Sequence, residues 1–149
     1  MLPSVDFKNV NQGVLYVAGF LFREDKTQVA LIEKQRPAWQ KGKLNGIGGK
    51  VEIGETPREA MRREFKEEAG ADISKWRAFC YLQGINPKDP WTVIMFMSEE
   101  PVQVQTMEDE QVGWYPIDLI DELGVIPNLK WLIPMACAEP IATGTVLEG

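Results

Sequence analysis

Two apolar runs open the pattern. Residues 13–22, with Val14, Tyr16, Val17 and Phe20, are apolar at successive positions and predict a strand buried on both faces. Residues 28–33, around Val29, Leu31 and Ile32, predict a second strand, and Asp25-Lys26 reads as the turn of a hairpin. The period then changes from two to four. Met61, Phe65 and Ala69 form the apolar stripe of a helix that starts at Thr56-Pro57-Arg58-Glu59, a capping box with Pro at the first helical position, and stops at Gly70.

Beyond this helix, residues 75–85 and 91–97 predict two more strands joined by an Asn86-Pro87 turn. An acidic loop spans 99–110, a short strand 111–115 and a helical turn 117–123. Asn128 is expected to cap a last helix with Leu129, Leu132, Ile133 and Met135 on its apolar side, which Pro134 should kink or divide. Trp131 is expected in the core from its helix position. The tail at 140–149 has no clear pattern. Strands interleaved with two helices predict an α/β protein, an α/β/α sandwich on a mixed sheet, in one domain over 1–149.

Charge and cysteine content narrow the function classes. The formal net charge of −6 argues against duplex nucleic acid as a partner, although nucleotides can be met locally. Residues 1–10 lack the basic and apolar regions of a leader, and no run is long enough to span a bilayer, so no membrane partner and a cytoplasmic location are expected. Cys80 and Cys137 read as buried thiols. The chain contains 0 histidines, which removes imidazole-based nucleophilic and acid–base mechanisms and histidine-ligated zinc. Carboxylates and a hard metal are left to do the chemistry.

The helix supplies such carboxylates. Glu64, Glu67 and Glu68 fall at i, i+3 and i+4 and project from one face. Like charges so placed repel by a few tenths of a kcal/mol per pair (roughly 0.2–0.5), and a divalent cation reverses that sign. Charge runs on helices are usually solvated faces, and in isolation this one would be read so. The surroundings decide: Gly49, Glu55 and the run Arg63-Glu64-Phe65-Lys66-Glu67-Glu68-Ala69-Gly70 stand in the spacing of the Nudix box, over residues 49–71. Chance coincidence of seven specified positions is on the order of 10⁻⁸ per starting point. The chain therefore resembles the Nudix hydrolases, with Phe65 as a departure where that family more often has an aliphatic residue.

The resemblance implies the Nudix fold, with the box as a loop–helix–loop, and an enzyme that hydrolyses a phosphoanhydride with Mg²⁺, or Mn²⁺. It implies Glu64, Glu67 and Glu68 as metal ligands, completed by the carbonyl of Gly48. Arg63 is expected to orient carboxylates by ion pairing, with Glu59 and Glu67 in reach, while Glu55 and Gly49 shape the box loop. A base outside the box is common in the family, and Glu108 and Glu110 are the candidates, ahead of Asp109. The stretch 34–44 carries Lys34, Arg36, Lys41 and Lys43 without an acidic residue, so Lys34 and Arg36, with Lys50, are candidate phosphate contacts.

For the substrate, the segment from Asn45 to Lys50 and the pair Pro127-Asn128 resemble the parts of MutT-type enzymes that face an oxidised purine. An amide offers both donor and acceptor to a purine edge, which suits Asn45 and Asn128. The simpler alternatives are a Gly-rich turn for Asn45 and a helix cap for Asn128. The expected substrate is a purine (deoxy)nucleoside triphosphate, an oxidised one of the 8-oxo-dGTP kind included, cleaved to monophosphate and pyrophosphate. ADP-ribose or dinucleotide hydrolysis, and a non-catalytic nucleotide-binding module, are the alternatives. The chain is expected to act as a monomer or homodimer.

Overall fold

The computed structural model describes residues 13–84 and 86–138. Alternate residues along its strands divide between two apolar layers, as period-two side-chain direction requires. Along β1 (Val14–Phe22), Val17 and Leu21 join one buried cluster while Phe20 and Phe22 join the other. Strands β2 (Gln28–Glu33) and β6 (Trp91–Ser98) split in the same way: Val29, Leu31, Met95 and Met97 face one layer, and Ala30, Ile32, Ile94 and Phe96 the other.

The remaining strands are β3 (Leu44–Asn45), β4 (Ile47–Lys50), β5 (Arg77–Gln83) and β7 (Val112–Pro116). The sheet order is β3-β2-β1-β6-β5, with β4 also paired to β1 and β7 to β2. It is mixed: β1 runs parallel to β6 from Val14↔Trp91 to Leu21↔Ser98, and the other pairings are antiparallel. The predicted β1–β2 hairpin pairs Leu21 with Ala30 and Phe22 with Val29, and further back β1 pairs with β4 over Tyr16–Gly19. The segment 45–49 runs beside this change of partner.

Helix α1 (Pro57–Ala69) covers one face. Thr56 accepts from the Glu59 amide and the Glu59 carboxylate accepts from the Thr56 amide, the capping box read from the sequence. Gly70 closes the helix at φ 77°, a conformation a Cβ disfavours, and its N–H donates to the Lys66 carbonyl. Met61, Phe65 and Ala69 are fully buried against Val17, Leu21, Ile47 and Phe96. Phe65 fits where an aliphatic is usual because its ring meets Trp76 at 5.2 Å between centroids and 59° between planes. On the opposite face α2 (Leu129–Cys137) buries Leu129, Leu132 and Ile133 against Phe20, Phe22 and Phe79. Helix, mixed sheet and helix make the α/β/α sandwich. No helix among the described residues is long and apolar enough to cross a membrane.

Several local expectations are corrected. Tyr16 is 38% exposed and Ala18 half-buried, so unbroken burial of β1 begins only at Gly19. The loop 34–44 contains a 3-10 turn over Ala38–Gln40, and the helical turn after β7 is the 3-10 segment Ile117–Leu119. Strand β5 begins at Arg77, not at residue 75, and β7 extends to Pro116. Helix α2 runs unbroken through Pro134, which is exposed on a short helix, so water can satisfy the carbonyl left without its N–H. Asn128 occupies the N-cap position with helical φ and ψ of −70° and −14°, and its side chain makes no capping bond. Trp131 is 48% exposed, because the apolar face of α2 is taken by Leu129, Leu132, Ile133 and Ala136. Cys80 is buried, Cys137 only half-buried, and both are free thiols. The expectations for residues 1–10 and 140–149 fall outside the described residues.

Candidate functional site

The site forms where the Gly-rich strand β4 meets α1. A Cβ on Gly49 would lie 2.6 Å from the carboxyl carbon of Glu64, so only glycine lets this carboxylate rest against the strand. Arg63 holds the group together. Its guanidinium forks onto Glu55, Nε to Oε2 at 2.7 Å and Nη2 to Oε1 at 2.9 Å, and Nη1 donates to Glu64 at 2.7 Å and Glu67 at 3.3 Å. Nη2 also donates to the Lys50 carbonyl at 3.0 Å. Glu59, within reach along the helix, is not a partner because the capping box occupies it. Glu55 returns from the loop before the helix instead. Its carboxyl is held below the usual range, first by the hydrogen bond from Arg63.

The three helix carboxylates sit in unlike surroundings. Glu67 is exposed. Glu64 is raised above the ordinary carboxylate range by desolvation, which outweighs the pull of Arg63. Glu68 is raised furthest, to about 8, by desolvation and then by the nearby charge of Glu64. Its Oε2 is buried and has no hydrogen-bond partner among the described residues. A buried carboxylate oxygen without a donor, beside a second carboxylate, costs free energy that a cation would return. Oxygen donors on carboxylates suit a hard divalent ion, and so does a nearby backbone carbonyl such as that of Gly48. Among the described residues no three such side chains already stand close enough to hold a metal. Glu64 and the more exposed Glu67 are both turned to Arg63, so ligation by all three requires these side chains to rotate.

The acidic loop reaches this place by backbone bonds. The Gln105 amide donates to the Ala69 carbonyl at 3.0 Å and the Met107 amide to the Glu68 carbonyl at 3.3 Å, satisfying two end carbonyls of α1. Glu108, exposed, and Glu110, buried, both add negative potential at Glu68. Glu110 is fully engaged. It accepts from Lys34 Nζ at 3.0 Å, from the Gln35 amide at 2.6 Å and from the Arg36 amide at 3.4 Å. Burial alone would raise its carboxyl, but the Gln35 amide and Lys34 outweigh that and hold it below the ordinary range. Strand register explains the meeting: Ile32 pairs with Val112, so two residues further on Lys34 stands opposite Glu110.

A cavity of about 500 Å³ opens beside the Gly-rich strand. Its polar wall includes Lys34, Gln40, Asn45 and Asn128, its apolar floor Val93 and Leu132, and Trp39 and Trp91 also border it. Gly48 and Gly49 line its end, and Glu64 lies behind Gly49. Asn45 Oδ1 accepts from the Gly46 amide at 2.8 Å and its Nδ2 donates to Gln40 Oε1 at 3.0 Å. Asn128 Oδ1 is buried without a hydrogen-bond partner among the described residues.

Of the sequence-derived site residues, Glu55, Arg63, Glu64, Glu67 and Glu68 are brought together on α1 and its loop, with Glu108 and Glu110 alongside. Lys34, Asn45, Gly48 and Asn128 line the cavity, whereas Arg36 and Lys50 do not. Arg36 is turned to Asp109 at 2.5 Å, and Lys50 enters through its carbonyl. Sequence reasoning missed Gln40, Tyr16 and Trp91. Gln40 carries no motif, and the two aromatics were assigned simply to strands.

The sequence profile of the NUDIX domain family matches residues 14–133. The chain is 36% identical over 69 residues to the 8-oxo-dGTP diphosphatase of Escherichia coli (strain K12), a match covering 46% of this chain and 54% of that protein. It is 30% identical over 96 residues to the oxidized purine nucleoside triphosphate hydrolase of Danio rerio, covering 60% of each. The matches thus span less than two thirds of these relatives. A solved MutT structure, from a study of the Aliivibrio salmonicida and Vibrio cholerae proteins, superposes with a TM-score of 0.70 at 24% identity, over 83% of this chain and 95% of that one. At that identity the likeness is one of fold.

Proposed function

The chain belongs to the NUDIX family, and from that premise we propose that it hydrolyses a purine (deoxy)nucleoside triphosphate to the monophosphate and pyrophosphate, using Mg²⁺. The observation that carries this reading is Glu68: a half-buried carboxylate whose Oε2 is buried and unpartnered among the described residues, beside the Glu64 carboxylate that rests against the glycine strand at the end of the cavity. Glu64, Glu67 and Glu68, with the Gly48 carbonyl, are the residues that would hold the ion. When bound, the ion neutralises phosphate charge and acidifies a water.

The chain's own groups supply the rest. Arg63 fixes Glu64 and Glu55, which limits the reorganisation needed at the carboxylate cluster. Lys34, held by Glu110 at the cavity wall, is the cation placed to meet phosphate oxygens. Asn45 and Asn128 are the base-reading groups, and the unpartnered Oδ1 of Asn128 calls for a donor on the ligand. With Glu110 saturated by three donors, Glu108 and the box carboxylates remain as candidates for the base. The names of the two curated relatives support an oxidised purine among the substrates.

The test is kcat/KM with Mg²⁺ for GTP, dGTP, 8-oxo-dGTP, dCTP and ADP-ribose. A purine triphosphate should lead, with pyrophosphate as product. Preference for ADP-ribose over every triphosphate would overturn the substrate reading.

A further inference from the structure

Asn45 is held in one orientation by a short relay that begins at the backbone. The Gly46 amide is a donor and nothing else, so the Asn45 atom that meets it at 2.8 Å is the oxygen. Nδ2 therefore points to Gln40, and the Gln40 atom receiving it at 3.0 Å is Oε1. The amide of Gln40 is then fixed as well, leaving its Nε2 N–H groups with no partner among the described residues on a side chain that lines the cavity. Without Gln40, Asn45 would keep the Gly46 bond but lose the contact that pins its Nδ2.

The backbone around Gln40 makes this a fixed post. Its N–H donates to the Pro37 carbonyl at 2.9 Å and its carbonyl accepts from Lys43 at 2.9 Å. The neck of the loop is closed by Lys34 N–H to Lys43 carbonyl at 2.9 Å and Gly42 N–H to Lys34 carbonyl at 2.7 Å. Glu110 then ties residues 34–36 to the acidic loop.

We infer that Gln40 is a positioning residue for base selection: it orients the Asn45 amide so that the cavity presents a set donor–acceptor pattern to the substrate's base. This rests on the purine reading above. Held by the Gly46 bond alone, the Asn45 amide can swing about its side-chain torsion and change the direction in which it presents donor and acceptor, so loss of Gln40 should blur selection between a 6-oxo and a 6-amino purine.

The experiment uses Q40M, which removes the acceptor at similar length, and Q40E, which keeps it. The charge added by Q40E acts on all triphosphates alike and drops out of a ratio between bases. In wild type, the kcat/KM ratio between GTP and ATP sets the reference. Q40M should lower that ratio about tenfold, the scale of one hydrogen bond in discrimination, with KM for the better purine rising. Q40E should restore it to within about threefold. Independently of turnover, the Asn45 side-chain amide resonances in a ¹⁵N–¹H spectrum should shift in Q40M and stay near their wild-type position in Q40E. A Q40M protein that keeps the wild-type ratio and the Asn45 resonances overturns the inference. So does a Q40E ratio as low as that of Q40M. If wild type favours no purine triphosphate over dCTP and ADP-ribose, the purine reading falls and this inference with it; if it favours them but treats GTP and ATP alike, the inference alone falls. If wild type discriminates and N45A abolishes that while Q40M does not, the inference alone falls.

Discussion

Replacing Glu110 with Gln separates a tether from a base. The carboxylate is 7% exposed and accepts from Lys34, Gln35 and Arg36. An amide can still receive the Gln35 N–H, but it leaves the ammonium of Lys34, whose side chain is 18% exposed, without its counter-charge and turns an NH₂ toward another donor. Losing a charged hydrogen bond costs about 1.5–3 kcal/mol, and breaking a buried pair by removing one partner costs about 3–5. Lys34 keeps some access to water, so a loss of about 2–3 kcal/mol at pH 7 is expected. For a chain of this length that lowers Tm by about 4–12 °C. The folded carboxyl lies below its ordinary value of 4.5, so its stabilisation is present above that value and disappears as pH falls through the folded pKa. Urea unfolding of wild type and Glu110→Gln at pH 7 and at pH 3.5 measures this. The gap should be wide at pH 7 and narrower at pH 3.5. A difference below about 0.5 kcal/mol at pH 7, or one equally large in acid, refutes the tether. Full stability at pH 7 combined with a kcat collapse would identify Glu110 as the base.

Excess chelator should abolish turnover, followed by phosphate-product release, and full activity in chelator would refute the metal-dependent reading. Glu68→Gln should lower kcat a hundredfold or more, roughly the loss of one charged catalytic contact. In chelator at pH 7 its melting temperature should exceed that of wild type, because burial and then the charge of Glu64 disfavour ionisation of the Glu68 carboxyl in the folded state, a cost the neutral amide does not carry. Asn128→Ala should reduce discrimination between purines by about 1–3 kcal/mol in relative kcat/KM. Denaturation should show less than the roughly 1 kcal/mol that loss of a capping side chain costs, since Asn128 makes no capping bond. A stability loss with unchanged base preference would contradict that assignment.

Helix α1 was legible before folding was considered. Thr56, Pro57, Glu59 and Gly70 act within four residues of their partners, and the stripe of Met61, Phe65 and Ala69 has the helix period, so chain geometry alone aligns Glu64, Glu67 and Glu68. The apolar run of β1 likewise announced a strand covered on both faces, which its second half is, and that of β2 announced a strand.

Partner choice was another matter. Arg63 takes Glu55 because the box loop folds back on the helix, and Glu59 is lost to the cap. Lys34 meets Glu110 only through the β2–β7 register, across 76 residues of chain. Gln40 acquires a role only because β3 brings Asn45 beside a turn that the sequence marked merely as loop. Asn128 stands at a cap position yet spends its side chain on the cavity, and Trp131 is displaced outward by better-placed aliphatic residues. Short-range hydrogen bonds and side-chain period are properties of a local segment and can be read from it. Which charges pair, and which amides are left facing a cavity, depends on long-range register and packing, and these exist only once the sheet has closed.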